Sequence, residues 1–210
     1  MRTPTVVIPY RSKGGKSRLA GALTPSEREE LSELMLLDVL GALAGAGLSG
    51  RCVVVSPDAS AGAVAEDRGA KALFEEAAAG VNAAVKHAMD ALPRAESFMV
   101  VPADVPSLRP EEVARALKLF SAGMDVVLTP SQEFNGTNLL LFRRGRMPEL
   151  SYDRDSFWNH VANSARRGLK LCAYTAGGLM FDVDTVADLR ALGSRTRRGR
   201  TATFARSVLL

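Results

Sequence analysis

The strongest constraint on the fold is a repeated alternation. Short, β-branched apolar runs recur along the chain, and segments of helical period separate them. Val6-Val7-Ile8 lies between Pro4 and Pro9 and reads as a buried strand. Val53-Val54-Val55, the run from Ala70 to Phe74, Phe98-Met99-Val100-Val101, Val126-Val127-Leu128 and Leu139-Leu140-Leu141-Phe142 repeat the pattern. Between the first two runs, Thr24-Pro25-Ser26-Glu27 predicts a helix start, with Thr24 as N-cap, Pro25 in the first helical position and Glu27 closing a capping box. Leu31, Leu34, Met35, Asp38, Val39 and Ala42 then share one helix face. Further helices are expected near Ala59 to Arg68, after Gly80-Val81-Asn82 through Val85 and Met89, and from Pro110 through Val113, Leu117 and Phe120. Strands alternating with crossover helices imply an α/β fold, a mostly parallel sheet sandwiched by helices. The stretch from about Arg143 to Ala176 has weak periodicity and reads as an insertion able to cover a site.

Sheets of this kind bind ligands outside the carboxyl ends of their strands, so the residues that follow each strand carry the functional information. The first run is followed by a basic loop containing Arg11, Gly14, Gly15, Lys16 and Arg18. Glycine lets backbone N–H groups approach a phosphate, and the cations can offset the charge of a triphosphate. The loop matches neither the Walker A spacing nor the Rossmann glycine pattern, and a solvated surface turn is its alternative reading. Asp58 follows the second run. Asp104 follows the fourth, between Pro102 and Pro106, where a carboxylate can ligate Mg²⁺ or cap a turn. Asp182 and Asp184 stand two residues apart, on one face if the segment is extended, and such like charges call for a cation between them. Alternatively, Asp184 or Thr185 caps a helix through Val186, Leu189 and Leu192. Asn135-Gly136-Thr137-Asn138 offers neutral donors to an anion, or a hairpin turn. Neither His87, read as structural, nor His160 builds a Ser/His/Asp triad. Nucleotidyl transfer fits that poverty, because positioning and electrostatics dominate its catalysis.

Composition limits the alternatives. At 210 residues and 47% apolar content the chain can fill one sizeable core without staples. Cys52 and Cys172 form no C-x-x-C pair, which argues against a zinc or redox motif, and Cys52 reads as a buried apolar residue. No stretch is apolar for long enough to span a bilayer, and Met1 to Thr5 carries no signal-peptide pattern, so a cytoplasmic protein is expected. Much of the net charge of +4 sits between Arg195 and Arg206. Residues 1–193 are accordingly read as the catalytic domain and 194–210 as a basic tail. Aromatic residues do not interleave with that tail, which argues against nucleic-acid binding and leaves it a remote alternative.

Several of these segments, taken in order, resemble one family. Val7-Ile8-Pro9-Tyr10-Arg11, Lys16-Ser17-Arg18-Leu19, Met35-Leu36-Leu37-Asp38, Gly80-Val81-Asn82, Ala103-Asp104-Val105-Pro106, Gly136-Thr137-Asn138 and Asp182-Val183-Asp184-Thr185 are similar to the 2-phospho-L-lactate guanylyltransferases of coenzyme F420 biosynthesis. The resemblance implies a nucleotide-diphospho-sugar-transferase-like fold and GMP transfer from GTP to 2-phospho-L-lactate, with release of pyrophosphate. Phosphoenolpyruvate, 3-phosphoglycerate or a sugar phosphate are the alternative acceptors. It further implies Mg²⁺ held by Asp104, Asp182 and Asp184, and Lys16 and Asp104 as catalytic residues. GTP would meet Arg11, Gly14, Gly15, Lys16, Arg18, Asp58 and Asn82. The phosphorylated acid would meet Thr137, Asn138, Asp153 and Ser156. A homodimer with C-terminal elements at its contact is also implied. Asp153 stands where the family commonly has glycine.

Overall fold

Seven strands form one sheet in the computed structural model, which describes residues 3–76, 79–196 and 198–209. The strands are β1 (Thr5–Pro9), β2 (Cys52–Ser56), β3 (Lys71–Phe74), β4 (Ser97–Val100), β5 (Val126–Pro130), β6 (Thr137–Arg143) and β7 (Leu171–Ala173), and their order is β3-β2-β1-β4-β6-β5-β7. β6 runs antiparallel to both of its neighbours, and every other pairing is parallel. The expected mixed, mostly parallel sheet is therefore present. The reversal of β6 has a functional consequence, because its first residues lie at the edge where the parallel strands end.

Helices cover both faces: α1 (Pro25–Gly45), α2 (Ser60–Asp67), α3 (Val81–Ala91), α4 (Pro110–Ser121), α5 (Ser156–Arg166), α6 (Val186–Arg195) and α7 (Arg200–Leu209). Successive strand residues point to opposite faces. Val6 and Ile8 thus join a core with Leu36, Val39 and Phe120, while Val7 joins another with Val85, Phe98 and Phe157. Burial on both faces explains why the central strands read as unbroken apolar runs. A third core lies away from the sheet, where Leu31 and Met35 of α1 meet Leu189, Leu192, Ala202 and Phe204. The capping box at Thr24 and Glu27 is present, with the Glu27 carboxylate accepting the Thr24 amide at 2.7 Å. Cys52 is buried, and burial raises its thiol pKa to about 12.

The weakly periodic stretch contains α5 and β7. Two expectations need correction. Thr137 and Asn138 belong to β6 instead of preceding it. Finally, the described part of the supposed basic tail is integrated into the domain: α6 continues through Arg195, and α7 packs on α1 and α6. Asp38, one of the predicted core-face positions of α1, accepts the Arg200 amide at 3.1 Å, the Thr201 amide at 2.9 Å and the Thr201 hydroxyl at 2.8 Å. It therefore caps α7 from another helix. Two of the tail's arginines are also engaged: Arg195 lies 4.7 Å over the Phe181 ring, and Arg206 donates to the Thr196 carbonyl at 2.8 Å. Arg197 lies outside the described residues. Among the described residues, no helix is long and apolar enough to cross a membrane.

Candidate active site

The basic loop leaves β1 at the centre of the sheet and turns sharply. Gly14 adopts φ 66° and Lys16 φ 52°, both left-handed. Glycine accepts that conformation freely, whereas in a lysine it costs on the order of 1–2 kcal/mol, a strain characteristic of functional loops. Two contacts hold the turn. The Arg11 guanidinium folds back, its Nε donating to the Lys13 carbonyl and its Nη2 to the Gly14 carbonyl, both at 3.0 Å. From the end of β2, Asp58 accepts the Ser12 amide at 2.8 Å, the Ser12 hydroxyl at 2.9 Å and the Lys13 amide at 3.3 Å. Burial works against the Asp58 charge, but those donors outweigh it and hold its pKa below the usual value. Arg11 and Asp58, both expected on the nucleotide, thus shape the loop. Ser12, which the sequence did not single out, is the point where Asp58 grips.

The turn delivers Lys16 to two carboxylates from distant parts of the chain. Its Nζ lies 2.9 Å from Asp104 Oδ2 and 2.6 Å from Asp184 Oδ1. Burial alone would lower the Lys16 pKa, yet the charges of Asp104 and Asp184 reverse the sign and raise it, so the ammonium stays charged at neutral pH. The two acidic loops are joined directly, because the Val183 amide donates to the Asp104 carbonyl at 2.9 Å. Thr185 caps α6 in a reciprocal box with Asp188, which frees Asp184 to face Lys16. Arg18, largely exposed, approaches Asp184 to 3.8 Å. Lys16, Arg18, Asp104 and Asp184 line a cleft of about 380 Å³ with Tyr10, Arg11, Met35 and Val81.

Asp182 turns toward β6. The Asn138 amide donates to Asp182 Oδ1 and to the Leu179 carbonyl, each at 3.1 Å. Burial raises the Asp182 pKa; Asn138 opposes this, and the nearby charges of Asp104 and Asp184 reinforce it. Asn138, expected on the acceptor, aims a carboxylate. Among the described residues, no group of three or more His, Cys, Asp or Glu side chains stands ready to hold a metal. The donor chemistry still suits a hard divalent cation, which takes one or two carboxylates together with phosphate oxygens. Asp104 and Asp184 already share one cation, the Lys16 ammonium, and Asp182 adds unbalanced negative charge beside them.

The remaining expected residues form a second cluster. Thr137 Oγ1 lies 3.0 Å from His160 Nδ1 and accepts the Ser156 hydroxyl at 3.2 Å. Asn82 accepts the Tyr152 amide at 3.0 Å and donates to Asp153 at 3.4 Å. Asn82 and Asp153, expected on different substrates, therefore meet each other. Gly136 belongs to the β5–β6 hairpin, where a Cβ would press on the Ser131 side chain at 3.1 Å. His87 meets the Phe74 carbonyl at 3.1 Å, in keeping with a structural role. His160 went unassigned in the sequence, although it stands one helical turn after Ser156. That signal is legible only once α5 is known.

Known proteins share this arrangement of sequence and fold. A family model described as "Guanylyl transferase CofC like" matches residues 4–209. The chain is 35% identical over 190 residues to a 2-phospho-L-lactate guanylyltransferase of Methanothermobacter thermautotrophicus, covering 90% of this chain and 83% of the relative. It is 36% identical over 189 residues to a phosphoenolpyruvate guanylyltransferase of Rubrobacter xylanophilus, with 89% and 91% covered. It is also 36% identical over 180 residues to a 3-phospho-D-glycerate guanylyltransferase of Phenylobacterium zucineum, with 83% and 82% covered. Among solved structures, a candidate nucleotide-diphospho-sugar transferase of Desulfovibrio desulfuricans G20 superposes with a TM-score of 0.74 at 19% identity, over 98% of this chain and 95% of that one. A Mycobacterium tuberculosis H37Rv protein solved in complex with manganese gives a TM-score of 0.55 at 18% identity, over 89% and 95%. On the strength of the match over nearly its whole length, the chain belongs to the guanylyl transferase CofC-like family.

Proposed function

We propose that this protein transfers GMP from GTP to a phosphorylated three-carbon acid, with 2-phospho-L-lactate as the acceptor, as a step of coenzyme F420 biosynthesis. The observation that carries the reading is the meeting of Lys16 with Asp104 and Asp184 in a cleft at the carboxyl end of the sheet. The names of the relatives support guanylyl transfer and an acceptor of the phosphorylated-acid class.

In the reaction, an oxygen of the acceptor's phosphate attacks the α-phosphorus of GTP. A new phosphoanhydride P–O bond forms, the α–β bridging bond breaks, and pyrophosphate leaves with the electron pair. The attacking oxygen is already anionic at neutral pH, so no general base is required. Lys16 and Arg18 offset negative charge on the triphosphate, and Lys16, mostly buried, does so where fewer waters screen it. The loop held by Arg11 and Asp58 would offer its Gly14 and Gly15 amides to the phosphates, since Asp58 takes those of Ser12 and Lys13. Asp104 and Asp184, with Asp182 aimed by Asn138, would hold Mg²⁺, which supplies further charge neutralisation of the phosphates when bound. Thr137 and Ser156 would receive the acid. A homodimer in the cytoplasm, with C-terminal elements at the contact, belongs to the same reading, and sedimentation as a monomer at assay concentrations would remove the dimer from it.

The test is incubation with GTP and Mg²⁺ together with 2-phospho-L-lactate, phosphoenolpyruvate or 3-phospho-D-glycerate in parallel, followed by mass spectrometry. The expected product is a GMP adduct of 2-phospho-L-lactate with equimolar pyrophosphate. A clear preference for another acid would overturn the acceptor, and no adduct with any of the three would overturn the function.

A further inference from the structure

His160 is fully buried and has no part in the reaction as described. Its hydrogen bonds determine its tautomer. Nε2 lies 3.0 Å from the Ser151 backbone nitrogen. An amide N–H can only donate, so Nε2 must accept and the ring proton resides on Nδ1. Nδ1 lies 3.0 Å from Thr137 Oγ1, which therefore accepts from His160. Thr137 Oγ1 and Ser156 Oγ are 3.2 Å apart, and one hydroxyl hydrogen serves that contact. The trio owns three polar hydrogens: one on His160 Nδ1, one on Thr137 and one on Ser156. Two are used internally. One hydroxyl hydrogen is left to donate outward.

The place of this spare donor is informative. Thr137 begins β6, next to Asn138, whose amide grips Asp182. Ser156 is the first residue of α5, and the positive end of a helix dipole also favours an anion. The Tyr152 ring packs edge-on against the His160 ring, with centroids 4.8 Å apart, and fixes its plane. We propose that His160 is a positioning residue which locks the Thr137–Ser156 hydroxyl pair into a donor for the anionic group of the acceptor acid. This rests on the guanylyltransferase reading above. Burial supports it independently, since it lowers the His160 pKa to about 4 and keeps the ring neutral. A neutral ring with Nε2 occupied cannot exchange its donor role at Nδ1 for an acceptor role.

Two substitutions separate this role from mere packing. His160→Phe keeps a ring and removes both nitrogens, while His160→Asn retains an amide N–H able to reach Thr137. Steady-state kinetics with 2-phospho-L-lactate and GTP, together with melting curves, provide the readouts. His160→Phe is expected to raise the KM for the acid on the order of tenfold, as for a lost hydrogen bond to a charged group, with the KM for GTP unchanged. His160→Asn should restore most of the loss. In a Thr137→Val background, His160→Phe should add little, because the hydroxyl it positions is already gone. Should His160→Phe fail to fold, His160→Gln, whose amide oxygen replaces Nε2 as the acceptor for Ser151 but lacks the Nδ1 donor, reads the same coupling when measured with Thr137 intact and in the Thr137→Val background. Equal effects on both KM values, an unchanged KM for the acid, or a full His160 effect on top of Thr137→Val would overturn the inference. Wild-type protein that turns over none of the three acids would remove the functional reading and this inference with it; wild-type turnover with no coupling removes this inference alone.

Discussion

Lys16 combines three properties that rarely coincide: left-handed backbone, near-complete side-chain burial and two anionic partners. Replacing it with alanine removes the cation and leaves Asp104 and Asp184 facing each other. Lys16→Ala is expected to weaken GTP binding tenfold or more, on the order of the strength of one charge-assisted contact, as measured by calorimetry. Unchanged affinity would dismiss the loop's role. Asp104 is partly exposed and its carbonyl, not its carboxylate, ties the two acidic loops together. Asp104→Asn should therefore keep the fold, with a circular dichroism spectrum like wild type, while kcat falls by roughly a hundredfold or more. The residue types at these positions were legible in the sequence, because each follows a strand. Their pairing was not: Lys16 stands 88 residues from Asp104 and 168 from Asp184. Separation along the chain also concealed the loop-holding role of Asp58, whose partner Ser12 lies 46 residues away.

Helices α5 and α7 are held by groups outside their own first turns. Each starts without a side-chain cap from its own first turn, so the surroundings supply the order. For α7 that supply is Asp38. Asp38→Ala would leave the Arg200 and Thr201 amides and the Thr201 hydroxyl without their acceptor, and a loss of about 2–3 kcal/mol in urea unfolding is expected. For α5 the order comes from the His160 cluster, and it carries a pH dependence. The His160 pKa falls from an ordinary 6.5 to about 4 on folding. Below 6.5 the unfolded chain takes up a proton that the folded chain refuses. Stability is thus intact above 6.5 and is lost as the pH falls toward 4, with a slope of up to about 1.4 kcal/mol per pH unit. Asp182, whose pKa is raised, titrates in the opposite sense. The wild-type advantage over His160→Asn in urea melts should accordingly shrink as the pH falls from 7 to 4.5; a constant advantage would mean that the histidine does not titrate with unfolding.

For the molecule as a whole, two cores flank one sheet, and a third, away from the sheet, depends on the C-terminal helix. A chain ending after Thr196 would expose Leu31, Met35, Leu189 and Leu192, so its melting midpoint should fall sharply. A detachable tail would instead leave the midpoint unchanged, and the truncation distinguishes the two outcomes directly.

The sequence alone determined the alternation of elements, the capping box at Thr24, the buried central strands and the chemical types of the groups that follow them. These depend on local periodicity and on residue chemistry, which neighbouring residues report. Tertiary structure alone decided the placement of β6 beside β4, the sharing of Lys16 by Asp104 and Asp184, the loop-holding role of Asp58 and the capping of α7 by Asp38. In each of these, the partners are far apart along the chain and their free energy of contact exists only after the sheet has ordered its strands, so no local pattern encodes them.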